Sequence, residues 1–68
     1  MRYFDYKSVA REANIPVDKL KKLVELVREE FPHDPMMAEL HTLRACTAIR
    51  DGHMKIDDAL KMQAENRA

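Results

Sequence analysis

Asp34-Pro35-Met36-Met37-Ala38-Glu39-Leu40-His41-Thr42-Leu43-Arg44-Ala45-Cys46-Thr47-Ala48-Ile49-Arg50-Asp51-Gly52 reads as one helix between two explicit stops. An aspartate accepts the free N–H groups of a first helical turn, and a proline at the first helical position loses no hydrogen bond. Asp34-Pro35 therefore predicts a start. Gly52, the single glycine of the chain, supplies a left-handed stop. At about 100° per residue, Met36, Leu40, Leu43 and Thr47 share one face of the helix over 35–51. Ala38, Thr42, Ala45 and Ile49 share nearly the opposite face. Small side chains at that spacing let a second helix approach to about 8–10 Å. A helix apolar on two sides needs cover on two sides.

The rest of the chain reads as shorter helices around this one. Tyr6 to Ala13 is expected to be helical, with Asp5 as its N-cap and Val9 and Ala13 on one face. Tyr3, Phe4 and Tyr6 cluster at its start and are expected to fold back as a lid on the core. Asn14-Ile15-Pro16 is a turn, because Asn tolerates a left-handed backbone and Pro disfavours helix in the residue before it. A second helix is expected over 17–30, with Leu20, Leu23, Val24, Val27 and Phe31 as one buried stripe. Leu26 lies off that stripe, towards a flanking helix. A fourth is expected over 57–65, with Asp57 and Asp58 favourable at its positive end. The expectation is an all-α, four-helix domain spanning 1–68, as an orthogonal or partly open bundle.

Composition narrows the function. Twelve Lys and Arg face 12 Asp and Glu, so the formal net charge is zero. Residues 1–33 hold seven basic and six acidic residues, and 34–68 hold five and six. No polybasic nucleic-acid arm exists. No apolar run approaches the roughly 20 residues of a membrane span, and residues 1–6 lack the apolar core of a secretory signal. One cysteine forms no internal disulfide, which fits a reducing, cytoplasmic setting.

Candidate chemistry is sparse. His33, His41, Cys46 and His53 are the soft metal ligands, and no two have the convergent spacing zinc requires. Asp51-Gly52 followed by Asp57-Asp58 resembles half a calcium loop, but Thr47 and Ile49 stand where further oxygen ligands are needed. A single glycine builds no phosphate loop. No catalytic, cofactor or metal set is therefore expected, and the chain is not read as an enzyme.

Residues 6–23, Tyr-Lys-Ser-Val-Ala-Arg-Glu-Ala-Asn-Ile-Pro-Val-Asp-Lys-Leu-Lys-Lys-Leu, resemble a helix-turn-helix. Ala10 fills the small position of the first helix, Val9 and Ala13 flank it, Asn14 and Ile15 fill the turn, and Leu20 and Leu23 anchor the second helix. Met1-Arg2-Tyr3 resembles the opening of MerR-type regulators, although Asn14 stands where Gly is usual and no wing follows Arg28. The resemblance implies a recognition helix over 17–30, with Val17, Asp18, Lys19, Lys21 and Lys22 towards DNA. Zero net charge argues against that partner, because DNA affinity rests largely on phosphate neutralisation.

The preferred expectation is a small interaction module that forms a homodimer or binds another helical protein. Ala38, Thr42, Ala45 and Ile49 are its expected interface. The competing expectation is that the first and fourth helices cover that face within one chain.

Overall fold

A computed structural model describes residues 3–65. Four helices follow in order: α1 (Tyr6–Glu12), α2 (Val17–Glu30), α3 (Pro35–Arg50) and α4 (Ile56–Glu65). No strand occurs among the described residues. Each helix lies within one residue of its expected limits, with Ala13 and Asp51 as C-caps of α1 and α3. Met1-Arg2 of the MerR-type resemblance and the tail 66–68 lie outside the described residues.

Local chemistry sets the boundaries. Asp5 Oδ1 accepts from Ser8 N at 3.2 Å, and Asp34 Oδ1 accepts from Met37 N at 3.0 Å. Asp5 also accepts from the Ser8 hydroxyl at 2.6 Å, and these hydrogen bonds hold its carboxyl below the usual carboxylate range. The left-handed residues are Asn14, at φ 59°, and Gly52, at φ 83°. α4 begins one residue earlier than expected, because Asp58 Oδ2 accepts from Lys55 N at 3.3 Å and closes the first turn back onto Lys55.

α3 packs against each of the other three helices, and α2 also packs against α4. Two clusters make the core. Leu23 and Val27 of α2 meet Ala38 of α3 and Ala59 of α4, with Phe31, Ala45, Ile49 and Leu60 packed around them. Ala10 of α1 and Ile15 of the turn meet Cys46 of α3. Ile49 and Ile56 touch both clusters and join them.

The α2 stripe is rotated from its expected position. Leu23, Leu26 and Val27 are buried, while Val24 is half-exposed. The reason is that α4 covers the Leu23–Val27 side, whereas α1 and α2 scarcely touch one another. Gln63 of α4 is buried, and its Nε2 donates to Glu30 Oε2, so its amide is satisfied. The aromatic lid forms in part. Tyr6 is buried inside α1, Phe4 is half-buried and Tyr3 is exposed. The backbone N–H groups of Tyr3 and Phe4 both donate to Glu39 Oε1 at 3.0 Å, which straps this segment to α3.

Leu23→Ala is expected to destabilise the fold by about 2–5 kcal/mol in urea unfolding. Val17→Ala, at a residue 74% exposed, is expected to shift stability by less than about 0.5 kcal/mol.

Candidate functional site

α3 carries the candidate surfaces, and its two apolar faces have different fates. Ala38 is buried and Thr42 is only 2% exposed. Thr42 Oγ1 donates to the Ala38 carbonyl at 2.8 Å, so its hydroxyl needs no outside partner. Ala45 and Ile49 pack against the α2–α4 cluster. Of the expected interface, Ala38 and Thr42 are therefore interior to the chain, and Ala45 and Ile49 are half-buried against its core. Three helices suffice to cover it because they approach from two sides. α2 and α4 close on Ala38, Ala45 and Ile49, and α1 closes on Cys46 beside them.

The opposite face is the less covered one. Met36 is 48% exposed, Leu40, Leu43 and Thr47 are half-buried as Ala45 and Ile49 are, and none of the four belongs to either core cluster. The Ala38–Ile49 face was expected to point outward, whereas Ala38 and Thr42 on it are buried. The available signal was Cys46, which lies next to Thr42 around the helix. Cysteine is among the residue types most often fully buried, so it marks that side as interior.

The start of α2 is open to solvent. Val17, Asp18, Lys21 and Lys22 are exposed. Lys19 differs, because its Nζ lies 2.8 Å from Asp57 Oδ1 of α4. That hydrogen bond and the aspartate's charge raise the lysine above its ordinary value. At the other end of α3, Arg50 bridges Glu12 at 3.0 Å and Asp51 at 3.2 Å, tying α1 to the α3 C-terminus.

The soft ligands do not converge. His33 and His53 are exposed. The His41 ring stacks at a tilt against Phe31, with centroids 5.6 Å apart. Cys46 is fully buried. Among the described residues no group of three or more His, Cys, Asp or Glu is placed to hold a metal ion. No described helix is long and apolar enough to cross a membrane.

Comparison with known proteins adds no relative: no family profile matches the chain, and no curated protein or solved structure is significantly similar to it.

Burial pushes the Cys46 thiol from 9.0 up to about 11, so the thiolate is disfavoured in the fold. Above pH 9 the unfolded chain loses this proton while the folded chain keeps it. Stability is then expected to fall as pH rises from about 9 towards 11, by at most about 1.4 kcal/mol per pH unit from this group. Urea unfolding of the wild type and Cys46→Ala across that range checks it, and the alanine variant is expected to show the shallower fall.

Proposed function

We propose that the chain is a small helical protein-interaction module that self-associates through the outward face of α3. The observation that carries this reading is the row Met36, Leu40, Leu43 and Thr47, apolar along most of its length and packed into neither core cluster. Its steps of four, three and four residues match the seam of a two-helix packing. Two copies of α3 laid side by side bury the row in both chains at once, as a two-fold interface requires. The size of the chain supports the same reading, since cores below about 70–80 residues are commonly supplemented by association.

A second reading, a helix-turn-helix regulator of DNA, is favoured by one observation. Asn14 adopts φ 59°, the left-handed turn such units place between their helices, and Val17, Asp18, Lys21 and Lys22 stand exposed after it. It ranks lower because Lys19 is engaged by Asp57 and the chain has no net positive charge.

Sedimentation equilibrium at about 10–100 µM is expected to show a dimer, with Leu40→Glu/Leu43→Glu monomeric and still helical by circular dichroism. A wild-type chain monomeric throughout that range contradicts the proposal. Anisotropy with random duplex DNA at about 50 mM salt separates the readings. Submicromolar binding that is lost in Lys21→Glu/Lys22→Glu promotes the second reading, and no binding at about 50 µM rejects it.

A further inference from the structure

α1 and α2 both rest on α3 but diverge from each other, and the space between them is an open trough of about 590 Å3. That volume lies within the roughly 300–1,000 Å3 typical of binding clefts. At Tyr6, Val24 and Arg28 the trough continues into a second hollow of about 250 Å3, bounded by Phe31 and Pro35. We infer that this trough receives a short amphipathic helix of a partner protein, one whose apolar face is flanked by carboxylates.

Shape is the first argument. The α2 wall is formed by Val17, Leu20, Lys21, Val24, Glu25 and Arg28. These residues recur at helical spacing along one side of α2 over three turns, a length of about 16 Å at 1.5 Å per residue. Leu23, Leu26 and Val27, the buried residues of α2, are not part of this wall, and Leu20 at its edge also packs against the Ala10–Ile15–Cys46 cluster. The base is apolar, with Ala10 and Ile15 from the α1 side and Leu20 and Val24 from α2. A helix lying in such a groove is recognised through apolar anchors at i, i+3 or i+4, and i+7.

Charge is the second argument, and it selects the occupant. Lys7 and Arg11 of α1 and Lys21 and Arg28 of α2 line the trough, against one carboxylate, Glu25. None of these four cations makes an ion pair among the described residues. The chain as a whole is neutral, so this excess is a local separation of charge. Cations on both walls of an apolar floor complement a helix with an apolar stripe between acidic edges. A nucleic acid fits less well. The only aromatic side chain in the trough is Tyr6, which is 6% exposed and offers no stacking platform. Phosphates would also leave the apolar floor unmatched. None of the residues that line the trough or the second hollow belongs to the Met36–Thr47 row, so this inference stands apart from self-association.

The test uses the intact chain and fluorescein-labelled helical peptides of about 14 residues, followed by anisotropy. One panel carries leucines at one helical stripe between glutamates. A second keeps the leucines between lysines, and a third keeps the glutamates with alanine for leucine. The acid-flanked leucine panel is expected to contain members that bind at tens of micromolar or tighter, at least about tenfold above both other panels. Lys7→Glu/Lys21→Glu is expected to weaken that binding by about tenfold or more, and Lys22→Glu, on the solvent side of α2, to leave it unchanged. All three lysines are exposed, and circular dichroism confirms that each variant folds. The inference is overturned if no acid-flanked leucine peptide binds at about 500 µM, if lysine-flanked peptides or random duplex DNA bind as well, or if Lys22→Glu matches the rim variant.

Discussion

Everything in this fold leans on one side of α3. Ala38, Thr42 and Cys46 are buried there, and α1, α2 and α4 all pack against the helix that carries them. Small side chains matter more at that position than hydrophobic ones, because they let neighbouring backbones approach closely. Thr42 sits in the middle at no polar cost, since its hydroxyl is spent on the Ala38 carbonyl within the same helix. Remove that close approach and the two core clusters, which are joined through Ile49 and Ile56, lose their common wall.

The same arrangement explains what is left over. α1 packs mainly on α3, with Leu20 of α2 reaching the cluster around Ala10 and Ile15, so it scarcely closes against α2. An open trough results, and cations that are far apart along the chain are brought to its two walls. The larger apolar row of α3, Met36 to Thr47, belongs to neither core cluster, and Met36 stands exposed. The described residues thus complete one core and still leave an open trough between α1 and α2 and an apolar row of α3 outside the core clusters.

Much of the fold was legible in the sequence because its boundaries are set by local chemistry. Asp34-Pro35, Asn14 and Gly52 each act through their own backbone or capping preferences, and the structure places a cap or a left-handed turn at each. The orientation of helix faces was less legible, since it depends on which neighbour arrives. Both rows of α3 have the same spacing, and the apolar weight of Met36, Leu40 and Leu43 drew attention from the lighter row, on which Ala38 and Thr42 are buried. Leu26 was read as off the main stripe, towards a flanking helix, and Val24 as part of the stripe, yet Leu26 is buried and Val24 only half-buried, because α4 covers α2 where α1 scarcely does. The trough was not legible at all. Lys7, Arg11, Lys21 and Arg28 form no run in sequence, and only the divergence of two helices gathers them.

The central claim is that the small-residue face of α3 is an intramolecular core. The most direct measurement is methyl nuclear Overhauser spectroscopy on a mixture of labelled and unlabelled chains, with a filter that isolates contacts between chains. Ala38 and Val27, members of the same buried cluster, are predicted to show a cross-peak within single chains and none in the interchain spectrum. An Ala38 cross-peak that appears only between chains would contradict the account.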